Sequence, residues 1–129
     1  MRASVSGSPL CGGVVRVLPQ SGDIVAVCLE GEFDLANAPV LDEQIQRALE
    51  GGHNLIVDLS EATFIDSTVI HVLLRASKAA RRREQALILQ LSTAAIVERV
   101  MQIAGIDQIL PRAHDRQEAL RLIRQSDAM

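Results

Sequence analysis

Three short, almost unbroken aliphatic runs constrain the fold most: Ile24-Val25-Ala26-Val27-Cys28-Leu29, Leu55-Ile56-Val57-Asp58-Leu59 and Ala86-Leu87-Ile88-Leu89-Gln90-Leu91. Each has strand length and no helical spacing. The first is nearly all apolar, so it belongs inside a sheet and is covered on both faces. The segments between the runs carry apolar residues at helical spacing instead. Strands alternating with helices require right-handed crossovers, and hence a largely parallel sheet.

The remaining elements follow in chain order. Val14 to Leu18 is a first strand, and Pro19 to Asp23 has turn chemistry, with proline early and glycine late. So short a loop makes the first two strands an antiparallel hairpin. Gly31-Glu32-Phe33-Asp34 then breaks the pattern. A helix is predicted over Ala38 to Leu49, with Asn37 as N-cap, Pro39 in its first turn and Gly51-Gly52 behind it. A second helix runs from Ser67 to about Arg82, ending in Arg81-Arg82-Arg83, which reads as a solvated helix end, with a face for an acidic partner as the minority reading. Ser92 or Thr93 can cap a third helix through about Ile103, which Gly105 can stop. Ile109-Leu110 reads as a short edge strand before Pro111, and a last helix starts after Asp115, with Glu118 at capping-box spacing. The expected fold is α/β: a single-layer, mixed, largely parallel sheet of four to five strands. It has an antiparallel opening hairpin and is packed by about four helices. Residues 1–12, rich in Ser and Gly, read as a flexible leader, and residues 13–125 as one domain of the 129-residue chain.

Composition excludes several functions. With two Phe and no Trp or Tyr, the chain lacks the stacking platform of single-strand nucleic-acid binders. A net charge of -3 offers no general attraction to phosphate backbones or anionic membranes. Cys11 and Cys28 form no metal motif; Cys28, inside an aliphatic run, reads as a small buried hydrophobe. No secretory signal and no membrane-length apolar run is seen, so a cytoplasmic location is expected. His53 and His114 are isolated, Asp58 can be a paired or a surface carboxylate, and no Gly-rich phosphate-binding motif with lysine occurs. No cofactor is expected.

The chemistry-bearing stretch is Phe64-Ile65-Asp66-Ser67-Thr68-Val69-Ile70, between the second aliphatic run and the long helix. A hydroxyl at a strand-to-helix turn lies where free backbone N–H groups and the helix dipole favour negative charge. Ser67 is thus a good place to put, hold or sense a phosphate. Asp66-Ser67-Thr68 is also a plain N-cap sequence. The two roles are compatible if Asp66 caps and Ser67 presents its hydroxyl; if Ser67 caps, Thr68 becomes the reserve acceptor. A hydrolase would need a base for Ser67, and His71 shares its helix face at four residues' distance. The turn lacks the glycines of a nucleophile elbow, so no enzyme is expected.

Val57-Asp58-Leu59-Ser60 followed by Phe64-Ile65-Asp66-Ser67 resembles the signature of STAS domains, in particular the bacterial anti-sigma factor antagonists (anti-anti-sigma factors). Gly31-Glu32-Phe33-Asp34 is similar to that family's Gly-Glu-Leu-Asp, and Ala104 to Ile109 resembles its turn before a last short strand. The likeness spans about Val14 to Ile123. It implies a domain that binds an anti-sigma factor that is also a serine kinase, freeing a sigma factor for transcription. The kinase then phosphorylates the serine after the Asp, which releases the antagonist, and a serine phosphatase resets it. By this resemblance the acceptor is Ser67, and the partner surface comprises Asp34, Asp66, Ser67, Thr68 and Val69; Asp34 reads equally well as a loop Asx-turn residue. The family commonly has glycine where this chain has Val69. That departure suits the alternative of a STAS scaffold or small-ligand sensory module acting without phosphorylation.

Overall fold

The structure, a computed structural model, describes residues 4–8 and 12–127. The strands among them are β1 (Ser4–Ser8), β2 (Gly13–Pro19), β3 (Ile24–Phe33), β4 (Asn54–Ile65), β5 (Leu87–Gln90) and β6 (Arg112–Ala113). The helices among the described residues are α1 (Ala38–Glu50), α2 (Ser67–Arg82), α3 (Ala95–Ala104) and α4 (Arg116–Asp127), and a 3-10 turn lies at Ile106–Gln108. The strands form one sheet in the order β1-β2-β3-β4-β5-β6. Pairing is antiparallel from β1 to β3 and parallel from β3 to β6.

The expected mixed sheet with its opening hairpin is present, and both faces of its middle are covered. On one face Val25, Val27, Leu29, Leu55, Val57, Leu59, Leu87 and Leu89 meet α1, α2 and α3 in the main core. On the other face Ile24, Ala26, Cys28, Ile56 and Ile88 meet Ala119 and Ile123 of α4. The aliphatic runs are therefore unbroken because both strand faces are dry there.

Three expectations differ in detail. Ser4–Ser8, placed in a flexible leader, is an edge strand paired to β2 from Ser4 opposite Val17 to Ser8 opposite Gly13. Backbone hydrogen bonds need no apolar side chains, so Ser-Val-Ser-Gly-Ser gave no strand pattern. Cys11 lies outside the described residues. The edge strand expected at Ile109-Leu110 falls instead at Arg112–Ala113, with Leu89 N–H bonded to Pro111 O and Leu91 N–H to Ala113 O. Finally, β3 and β4 run past Leu29 and Leu59. Beyond Leu59 the burial of β4 is interrupted, with Ala62 and Ile65 buried and Glu61 and Thr63 exposed. That half is dry on one face only, so its sequence looks less strand-like than the run before it. The register of β3 on β4 shifts between Cys28 and Glu30 and again between Gly31 and Glu32. Gly31 adopts φ +92, and a Cβ there would sit 2.3 Å from Gly12 O. The bend lets Glu32 N–H reach that same carbonyl at 2.8 Å.

Candidate functional site

The extended ends of β3 and β4 build the site. Phe33 pairs with Ile65 in parallel register. Asp34 and Asp66 each follow one of these residues, so the two carboxylates leave neighbouring strands at the same end of the sheet. The carboxyl ends of parallel strands are the usual place for recognition in such sheets.

Asp66 is the N-cap of α2. Its backbone is extended, at φ -117 and ψ -173. Its Oδ1 accepts Thr68 N–H at 2.9 Å and Val69 N–H at 3.4 Å. The Thr68 hydroxyl donates to the same oxygen. One carboxylate thus engages two of the free N–H groups at the helix start. This division leaves Ser67 without a capping duty. Its side chain is exposed, and Oγ has no hydrogen-bond partner among the described residues. Thr68 is half-buried and tied to Asp66, which makes it the less accessible hydroxyl.

Val69 differs from its expected place on the partner surface: its side chain is 0% exposed and packs in the main core. It fills space beneath the turn and offers no surface to a partner. Asp34 is exposed and forms an Asx turn, with Oδ1 accepting Ala36 N–H at 2.9 Å. Asn37 stands at the N-cap position of α1 but makes no side-chain cap. Its Oδ1 instead accepts Asp34 N–H, and its Nδ2 donates to Glu32 O, each at 2.9 Å. The Asn37 side chain is buried and fixes the loop that carries Asp34 and Leu35, the latter 73% exposed. His71 is exposed on the same face of α2 as Ser67, and no hydrogen bond joins them among the described residues.

From this end a groove of about 620 Å³ runs between α1 and α2, with Leu35, Pro39, Thr68, Val72 and Leu74 among its walls. Arg75 and Asp42 form an ion pair at 3.3 Å beside it.

A second polar cluster lies on the opposite face, under the start of α4. Arg116 Nη2 donates to Asp58 Oδ2 at 2.5 Å, and Arg116 Nε donates to Gln90 Oε1 at 2.9 Å. Asp58 Oδ1 accepts Ser60 N–H at 2.8 Å. Asp58 is therefore a paired carboxylate. Cys28 Sγ lies 3.4 Å from Arg116 Nη2. Burial pushes the Cys28 thiol up to about 11, with the Asp58 charge adding and Arg116 opposing. It stays protonated at neutral pH and is a poor nucleophile. The sequence hid this cluster because Asp58 and Arg116 are far apart in the chain. Among the described residues no group of His, Cys, Asp and Glu is arranged to hold a metal ion.

The family model of the STAS domain matches residues 16–119. No curated protein sequence matches the chain. Among solved structures, an anti-sigma factor antagonist from Mycobacterium paratuberculosis superposes with a TM-score of 0.79 at 20% identity, covering 94% of this chain and 95% of that one. The anti-sigma factor antagonist SpoIIAA in its unphosphorylated form gives 0.73 at 20% identity, over 86% of this chain and 96% of that one. SpoIIAA of Bacillus in the phosphorylated form gives 0.66 at 18% identity, over 84% and 98%. At these identities the likeness is one of fold.

Proposed function

The chain belongs to the STAS domain family, and from that membership we propose that it is an anti-sigma factor antagonist whose partner is an anti-sigma factor with serine kinase activity. It acts in the cytoplasm by binding, not by catalysis. Phosphorylation of Ser67 ends the complex, and a serine phosphatase restores it. The supporting observation is the division of labour at the start of α2. Asp66 caps the helix, so the Ser67 hydroxyl is exposed and has no hydrogen-bond partner among the described residues.

The physical effect of the modification falls on the partner. A phosphoserine carries about -1.5 to -2 charges at neutral pH. The domain tolerates that charge, because the dipole and N–H groups of α2 offset part of it. Asp66 and Asp34 add like charge nearby. A partner surface pressed on this end would have to desolvate the phosphate beside them. Release therefore needs no refolding of the domain. Phosphorylated and unphosphorylated forms are also named for SpoIIAA, a domain of similar fold.

Incubation with the cognate kinase and ATP, followed by mass spectrometry, tests the proposal. Phosphate is expected on Ser67. Phosphate on neither Ser67 nor Thr68 would leave the alternative, a STAS scaffold or small-ligand sensory module that is not switched this way. Val69 is the feature that suits that alternative, while its burial in the core supports the switch, because the branched side chain does not project toward a kinase.

A further inference from the structure

One face of α2 carries more than Ser67. His71, Arg75, Lys78 and Arg82 follow it at offsets of four, eight, eleven and fifteen residues, and all are exposed. At 3.6 residues per turn these positions fall on one stripe. The stripe is cationic on a chain whose net charge is -3. It borders the groove between α1 and α2, which at Lys78 meets a shallower hollow lined by Lys78, Arg81 and Arg82. Lys78, Arg81 and Arg82 have no ion-pair partner among the described residues. The groove itself is apolar along Leu35, Pro39, Val72 and Leu74. Its Asp42 bonds Arg75 through Oδ2, while the buried Oδ1 has no donor among the described residues.

We propose that this track is the grip for the partner, and that it takes an acidic amphipathic segment of that protein. An aliphatic side chain of the segment enters between Leu35 and Val72. Its carboxylates lie along His71, Lys78 and Arg82. The occupant follows from charge complementarity: a basic segment would face the cations, and a purely apolar one would leave them unpaired. This inference rests on the proposal that the Ser67 end faces the partner. It adds that affinity resides along α2, while the hydroxyl at its start acts as the release point. α2 has 16 residues and so offers a track about 24 Å long.

The probe is a synthetic helical peptide with a leucine stripe flanked by glutamates, titrated into the isotope-labelled full chain at low salt. Amide signals of Leu35, Val72 and Leu74 should move. Lys78→Glu should weaken binding about tenfold, and Leu35→Ala several-fold. Both residues are exposed, so the fold should survive each change. Absence of shifts in the groove would overturn the proposal. So would equal binding of a leucine–lysine twin peptide. Sedimentation with phosphatidylglycerol vesicles in place of peptide binding would overturn it too, making the stripe a membrane face. Ser67→Asp separates the two proposals. A peptide that binds wild type and Ser67→Asp equally, yet loses affinity with Lys78→Glu, upholds the grip and counts against the switch.

Discussion

Exchange of capping roles between Asp66 and Ser67 gives a quantitative test of the site geometry. Asp66→Ala removes the acceptor of Thr68 N–H at 2.9 Å and Val69 N–H at 3.4 Å, and the partner of the Thr68 hydroxyl. Loss of an N-cap acceptor costs about 1 kcal/mol, within a range of roughly 0.5–2. The negative charge at a helix start contributes about 0.3–1 kcal/mol more where solvent reaches it. Asp66 is half-buried, so Asp66→Ala should destabilise the domain by about 1–2 kcal/mol. Ser67→Ala deletes an exposed hydroxyl with no partner among the described residues, and should change stability by less than about 0.5 kcal/mol. Urea unfolding at neutral pH reads both values, provided the slope m is unchanged. Asp66→Asn should fall between, since it keeps an acceptor and loses the charge. A Ser67→Ala cost above 1 kcal/mol, with Asp66→Ala near zero, would show that Ser67 is the cap. Its oxygen would then be occupied, and the division of labour would be refuted.

Other outcomes follow from the two polar clusters and the core. Arg116→Met should cost about 3 kcal/mol, the low end for a buried pair because Arg116 is partly exposed, since it leaves the Asp58 carboxylate (8% exposed) without its cation. Adding Asp58→Asn should recover most of that loss in the same urea assay. Val69→Gly should cost about 3 kcal/mol, from a fully buried side chain and a glycine inside α2. It should leave phosphorylation of Ser67 intact by mass spectrometry. The Cys28 thiol is raised from 9.0 to about 11, so folding favours its protonated form. Its stabilising contribution is complete below pH 9 and is lost as pH rises from 9 to about 11. Thermal midpoints of Cys28→Ala should therefore fall less steeply across that window than those of wild type.

How much of this was legible in the sequence depended on which force shapes each segment. The doubly covered halves of β3, β4 and β5 announce themselves, since burial on both faces leaves little room for polar residues. The α2 boundaries could be read from Ser67 to Arg82 because the helix has a clear apolar face and an acidic cap. The edge strands were hidden or displaced. Ser4–Ser8 has no apolar alternation to announce it, and Arg112–Ala113 is only two residues long. At the site, Asp34, Asp66 and Ser67 stand at one end of the sheet because their strands are in register there. The inward course of Val69 could not be read, because its direction depends on the angle at which α2 leaves β4. Likewise Asn37 carries good capping chemistry, yet the close passage of Glu32 and Asp34 gives its amide better partners. The Asp58–Arg116 pair joins residues 58 apart and left no local trace.

Calorimetric titration of the partner kinase into three versions of this chain tests the central claim most directly. Wild type and Ser67→Ala should bind alike. Ser67→Asp, which places a carboxylate where the phosphate would be, should bind more weakly, and fully phosphorylated protein more weakly still. A loss of about 3 kcal/mol for the phosphorylated form corresponds to more than a hundredfold in affinity. Equal affinities for wild type, Ser67→Ala, Ser67→Asp and the phosphorylated chain would contradict the claim that charge at this hydroxyl ends the complex.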